Sequence, residues 1–146
     1  MLSFCRHSAC LFALCIAAAA VWPAGAGEPF PFGSELMLDA APMPGSKRIP
    51  MLEVEDDGTA SIDLWCTSLR GEVTVTDDTI TIVPGQPASL IPGQPAGDAQ
   101  APCDPDRQAS DATLLTALAQ VTTWRRSGDL VELSGVATLR FRLMTN

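Results

Sequence analysis

The chain has 146 residues, a formal net charge of −8 and a hydrophobic fraction of 47%. The acidic balance argues against a nucleic-acid partner, because phosphate binding requires clustered Lys and Arg, and it disfavours adsorption to anionic membranes. The length fits one domain that is large enough to bury a core.

Residues 1–26 have the pattern of a secretory signal peptide. Arg6 and His7 form a short basic start, residues 9–21 are apolar, and Ala24-Gly25-Ala26 is the small-x-small motif that a signal peptidase requires. The apolar run is shorter than the ~20 residues that span a membrane, which disfavours an uncleaved anchor. We therefore expect cleavage after about Ala26, a periplasmic or secreted product, and no stable membrane insertion of the mature chain.

Removal of this segment changes the chemistry that remains. The one histidine, three of the five cysteines and Arg6 are lost, which leaves eight basic and seventeen acidic residues. Without histidine, neither a Ser-His-Asp nor a Cys-His mechanism is available, and two cysteines are too few for a structural zinc site. The inventory predicts a non-catalytic domain with no cofactor and no metal.

Cys66 and Cys103 are the cysteines that remain, and in an oxidising compartment a lone pair favours a disulfide. A closed loop of about 38 residues corresponds to roughly 4 kcal/mol in the chain-entropy model. The alternative, a redox-active pair, is disfavoured because no Cys-x-x-Cys spacing is present.

After an irregular lead-in at 27–34, hydrophobic alternation and turn residues predict five strands. Asp56-Asp57-Gly58 and Asp77-Asp78 supply tight turns. Residues 83–102 contain a repeated Pro-Gly-Gln-Pro-Ala unit, predicted as a long loop, with a proline-rich ligand for an aromatic groove as the alternative. The predicted strands are 35–39, 48–54, 60–66, 72–76 and 79–83.

A helix capped by Ser110-Asp111 is predicted next, reaching about Gln120 or Thr122, with a leucine stripe that we interpret as core. Three more strands follow, at 122–126, 130–133 and 136–144. Many short antiparallel strands with tight turns favour a mainly β fold, namely a small antiparallel β-barrel-like, strongly curved sheet packed on one α-helix. The helix would cover the open side of the sheet or plug one end.

Four features of residues 35–146 carry a family resemblance. They are the Asp57-Gly58 turn before a strand ending in Cys66, the run from Cys66 to Gly71, the later Cys103-Asp104-Pro105, and the closing Gly-Asp-Leu and Leu-x-Phe segments near 128–133 and 139–141. In this order they resemble the META domain family, also called HslJ-like heat-shock proteins. Thr67 departs from the asparagine usual in that family.

The resemblance implies a β-barrel-like fold around a helix, and an envelope protein linked to stress tolerance with no agreed enzymatic activity. Our leading hypothesis is a monomeric periplasmic interaction module with an unknown protein or lipid partner. A lipid- or apolar-peptide-binding protein of pilot or chaperone type is the closest alternative. Trp65, Trp124 and Arg125 form the candidate partner surface.

Two further hypotheses depend on the acidic clusters at 53–57, 77–78 and 104–106. Paired carboxylates hydrolyse glycosides when they flank a cleft, but acids at turns commonly serve turn formation and solubility. Calcium binding is disfavoured because the acids lack the spacing of known calcium loops.

Overall fold

The computed structural model describes residues 27–87 and 103–144. Within these residues, eight antiparallel strands form a closed barrel in sequence order, with one helix between the fifth and sixth strands. The expected order of five strands, a helix and three strands is confirmed, as is the mainly β fold class. The elements are β1 (Glu35–Leu38), β2 (Met51–Val54), β3 (Thr59–Asp63), β4 (Ser68–Thr76), β5 (Thr79–Pro87), α1 (Pro105–Ala119), β6 (Val121–Ser127), β7 (Leu130–Gly135) and β8 (Thr138–Leu143).

Strand β1 closes the barrel by pairing with β2 on one side and β8 on the other. Leu36 lies opposite both Leu52 and Leu143, so a short strand with alternating buried leucines joins the first and last parts of the chain. Closure removes the open sheet edges that could pair with another molecule.

The seam between β5 and β6 is the weakest join. Its ladder consists of one residue pair, Thr79 with Thr123, whereas β6 and β7 pair along most of their length. Helix α1 is inserted in the chain at this point and contacts β5. The helix therefore lies where the sheet alone closes least completely.

The barrel interior is filled by apolar side chains that alternate along the strands and are completed by α1. An eight-stranded barrel is just wide enough for side chains to fill. The leucine stripe of α1 contributes Leu114 and Leu118, as expected for core positions. The buried hydrophobic residues are Phe30, Leu36, Leu38, Leu52, Val54, Ala60, Ile62, Leu64, Leu69, Val73, Ile80, Ile82, Leu114, Leu118, Val121, Val131, Leu133 and Phe141.

The two ends of the barrel are built differently. One end, called the helix end, carries the β1–β2 and β3–β4 loops, α1 and the β7–β8 turn. The opposite end, called the aromatic end, carries the β2–β3, β4–β5 and β6–β7 turns together with the lead-in at 27–34. The alternating direction of the strands assigns each connection to its end.

Several predicted bounds are wrong; β4, for example, begins at Ser68 and not at residue 72. Strand β5 continues to Pro87, although residues from 83 onward were expected to be loop. The ladder tolerates these prolines because a bulge between Leu69 and Gly71 shifts the register, so that Gly71 lies opposite Pro84 and Leu69 opposite Pro87. The predicted strand at 60–66 is also shorter than expected, since β3 ends at Asp63.

The helix start was also wrong. Asp104 is the N-cap and accepts a hydrogen bond from the Asp106 backbone N–H at 2.9 Å, with Pro105 in the first turn. A proline at the first helical position lacks the N–H that a helix start leaves unpaired anyway. Ser110 and Asp111 are consequently inside the helix rather than at its cap.

The signal-peptide segment 1–26 and the second Pro-Gly-Gln-Pro unit, within 88–102, lie outside the described residues. In the described part of the chain, α1 is too short and too polar to cross a membrane.

Candidate functional site

At the helix end, the carboxylate of Asp111 binds the β3–β4 loop. Its Oδ1 accepts from the Trp65 backbone N–H at 3.0 Å and its Oδ2 from the Cys66 N–H at 3.1 Å. Asp111 is 6% exposed, although it lies on an otherwise mostly polar stretch of α1. A buried carboxylate facing two backbone donors pins the helix to the loop, since each donor would otherwise be unpaired.

Burial raises the pKa of the Asp111 carboxyl above its ordinary value of 3.8, while hydrogen bonds from residues 65–67 act in the opposite direction. Desolvation disfavours the charged form, and the donors favour it. The Asp111 carboxylate thus has a structural role, and the loop donors offset part of the cost of burying its charge.

The disulfide joins the same two elements. Cys66 and Cys103 are paired with their Cα atoms 5.8 Å apart, across 37 positions of sequence. The bond attaches the loop after β3 to the residue that precedes the helix cap. Together with Asp111 it fixes α1 at two points to one short loop.

Trp65 belongs to this end. Its side chain is half-buried and packs against the hydrophobic core, and no group among residues 27–87 and 103–144 is a hydrogen-bond partner of its buried indole Nε1. Trp65 therefore packs against the core next to α1, and its neighbour Cys66 forms the disulfide.

At the aromatic end, Trp124 is the centre of an aromatic group with Phe30 and Phe32. The Phe30 ring packs edge-on against Trp124 with centroids 5.0 Å apart, and lies 4.9 Å from Phe32. Phe30 is 7% exposed and Phe32 is 39% exposed. Edge-to-face pairs at these distances are favourable.

Trp124 also joins the two sides of the β5–β6 seam. Its backbone N–H donates to the Asp78 carbonyl at 3.0 Å and its indole Nε1 to the Thr76 carbonyl at 3.2 Å. Opposite Leu133 in the β6–β7 ladder, it faces the barrel interior. One side chain thus connects the seam, the core and the lead-in.

Polar contacts hold the lead-in over this end. The Glu28 carboxylate accepts from the Gly128 backbone N–H, and the Arg126 guanidinium donates to the Pro29 carbonyl at 3.3 Å. The Gly33 N–H donates to the Val54 carbonyl at 2.8 Å. The lead-in therefore contacts the β6–β7 turn and the end of β2.

A row of charges runs along the outer face beside it. Arg125, Glu132 and Arg140 lie directly opposite one another on β6, β7 and β8, and the Glu132 carboxylate accepts from both guanidinium groups. These bonds, Arg140 first, lower the pKa of Glu132 below its ordinary value of 4.5. Arg125 remains 79% exposed at its side chain. A shallow groove here is lined by Arg125, Arg126, Ser127, Leu130 and Glu132.

The three residues expected to form one partner surface occupy two places. Trp124 and Arg125 are adjacent on β6 but on opposite faces, and Trp65 lies at the helix end. Sequence reasoning missed Phe30 and Asp111, because both act through partners distant in the chain. The Glu-Pro-Phe-Pro-Phe sequence at 28–32 could have indicated the role of Phe30. Two phenylalanines in a short segment without strand or helix periodicity suggest that the segment packs on the core of the domain.

Two residues of the acidic clusters have structural roles. Asp57 accepts from the Thr59 N–H at 2.8 Å and the Thr59 hydroxyl at 2.7 Å, which lowers its pKa below 3.8. Asp104 caps the helix. Within residues 27–87 and 103–144, no group of three or more His, Cys, Asp or Glu side chains is placed to hold a metal ion.

Comparison with known proteins supports the fold. No protein-family model and no curated protein matches the chain. A protein solved by NMR is similar at 14% identity with a TM-score of 0.52, covering 75% of this chain and 88% of its own. Another NMR structure, of a protein from Burkholderia xenovorans, is 19% identical with a TM-score of 0.54, covering 79% and 84%. At these identities the likeness defines a shared architecture, a small closed antiparallel barrel with one helix.

Proposed function

We propose that this chain is an exported, non-catalytic interaction module of the META domain, HslJ-like, type, which serves envelope maintenance or stress tolerance. The observation that carries the binding role is the aromatic end, where the 39% exposed Phe32 packs on Phe30 and the groove that contains Arg125 lies beside the lead-in. Aromatic and arginine side chains are the residues most enriched at the energetic centres of protein interfaces.

A protein partner is favoured over a lipid. An acyl chain needs a hollow interior, whereas large buried side chains such as Phe141, Leu36 and Leu133 occupy the barrel. Bulky interior residues in an eight-stranded barrel leave the ends and the outer face for contact. An apolar peptide segment fits such a surface.

The non-catalytic part of the proposal is supported by the roles of the acids. Asp57, Asp104 and Asp111 each accept backbone hydrogen bonds within a turn, a helix cap or a loop. A glycoside hydrolase would instead need two carboxylates facing across an open cleft.

In-cell cross-linking tests this proposal. A photo-reactive amino acid is placed at Arg125, and a matched one at Val136, which is 85% exposed but lies at the helix end. We expect a shortened, oxidised chain in the periplasmic fraction and a cross-linked protein partner from position 125 alone. Equal cross-linking from both positions, or a full-length chain retained in the cytoplasm, would refute it.

A further inference from the structure

We propose that the aromatic end is a peptide-recognition site that residues 28–30 of the chain itself occupy. The partner it fits is an extended protein segment with an acidic residue, a proline and then an aromatic residue. This inference rests on the proposed binding function and names the class of partner.

Each residue of this segment contacts the barrel as a bound peptide would. The Glu28 carboxylate accepts a backbone N–H from Gly128, and the Pro29 carbonyl accepts from Arg126. The Phe30 ring is almost fully buried against Trp124. Peptide-recognition sites likewise combine main-chain hydrogen bonds with pockets for particular side chains.

The segment is docked onto the barrel without being part of its ladders. Strand β1 begins at Glu35 and already pairs with both β2 and β8, so the barrel closes without residues 27–34. A turn at Gly33, with a φ of 65°, connects the two, and glycine adopts that angle without strain. The segment can therefore leave its site without breaking a strand pair.

Backbone and arginine donors of the β6–β7 turn, and not a net positive charge, match the segment. Three of the four arginines on β6 and β8 are paired with acids of the barrel: Arg125 and Arg140 with Glu132, and Arg142 with Asp39 and Asp129. Arg126 instead donates to the Gly128 and Pro29 carbonyls. The acidic residue of the motif is therefore recognised by the Gly128 backbone N–H, and the main chain that follows it by Arg126.

A shortened protein that begins at Ser34, with its disulfide intact, tests the site directly. The probe is a fluorescently labelled peptide of residues 27–34, Gly-Glu-Pro-Phe-Pro-Phe-Gly-Ser, and the readout is its anisotropy together with tryptophan emission. We expect saturable binding. In the peptide, Phe30→Ala should weaken binding by about 10- to 100-fold, as expected for losing one buried phenyl group. Phe32→Ala should cost far less, because Phe32 is already partly exposed.

Protein variants provide the matched control. Arg126→Gln removes the donor to Pro29 and should weaken peptide binding, whereas Arg70→Gln, an exposed arginine on β4, should leave it unchanged. The intact protein should bind the peptide more weakly than the shortened one, since its site is free only in the fraction of molecules with the lead-in displaced.

Several outcomes would overturn the inference. One is a folded shortened protein that does not bind the peptide, and another is equal loss from Phe30→Ala and Phe32→Ala. A dimer of intact protein that Phe30→Ala dissolves would reject a foreign partner and assign the site to a second copy of the segment. If the shortened chain does not fold, intact protein with Phe30→Ala replaces it, because that substitution empties the Phe30 site. The inference is then refuted if the peptide leaves the tryptophan emission of this variant unchanged. Cross-linking from position 125 is an independent measurement, so the broader binding function can survive this failure.

Discussion

The Asp111 carboxylate gives the most specific test of how the helix is held. Asp111→Ala removes the acceptor for the Trp65 and Cys66 N–H groups, at 3.0 and 3.1 Å, and leaves two loop donors without a partner. Hydrogen bonds to a charged group are each worth about 1.5–3 kcal/mol, and the cost of burying the charge offsets part of that. We expect a loss of about 2–4 kcal/mol in the free energy of unfolding.

The assay is urea unfolding at pH 7 followed by tryptophan fluorescence, with the disulfide intact. Asp106→Ala is the matched control, because Asp106 is exposed in the first turn of the same helix and its loss costs only a few tenths of a kcal/mol. Equal effects of the two substitutions would refute the role of Asp111 as an anchor.

The pH dependence follows from the raised pKa of Asp111. Between the ordinary value of 3.8 and the higher folded value, the native state binds more protons than the unfolded state. Stability from this group therefore falls as pH rises through that window. The difference in unfolding free energy between wild type and Asp111→Asn should decrease with pH there, and a difference that increases would contradict desolvation as the dominant cause.

Three other predictions concern stability. Replacing both Cys66 and Cys103 with serine should lower the unfolding free energy by about 2–4 kcal/mol, measured by urea titration, and an unchanged midpoint would contradict a constraining disulfide. Leu118→Ala, at a side chain that is 1% exposed, should cost about 2–4 kcal/mol by thermal or urea unfolding, and a loss below that of an exposed leucine-to-alanine change would contradict its core position. Glu132→Gln should remove stability that wild type has above pH 4.5 and loses as pH falls through the lower folded pKa of Glu132. Parallel stability–pH curves for wild type and Glu132→Gln would exclude that contribution.

Local patterns in the sequence were sufficient for most of the barrel. Alternation at Ala60 and Ile62 predicted the inward face of β3, and Asp57-Gly58 predicted the turn before it, where Gly58 has a φ of 85°. These features depend on neighbours in the chain, so a single sequence contains them.

The errors arise where distant residues decide the structure. Pro84 remains in β5 because a bulge on β4 accommodates it, and a proline read alone indicates a loop. Asp111 resembles a helix cap by residue type, yet its partners are 45 and 46 positions away. The same holds for the candidate surface, since nothing near Trp65 or Trp124 in the chain indicates that they lie at opposite ends.

The single-pair join between Thr79 and Thr123 divides the barrel into two hairpin-rich halves, one formed by β1–β5 and the other by β6–β8. These halves share a full ladder only through β1 and β8. Backbone amides beside this gap should exchange with solvent before those of the β4–β5 and β7–β8 ladders, because local opening there breaks the fewest strand bonds. The barrel would then open at the β5–β6 join and bend at the β1–β8 ladder. The hydrogen bonds that Trp124 donates to Thr76 and Asp78 would oppose that opening.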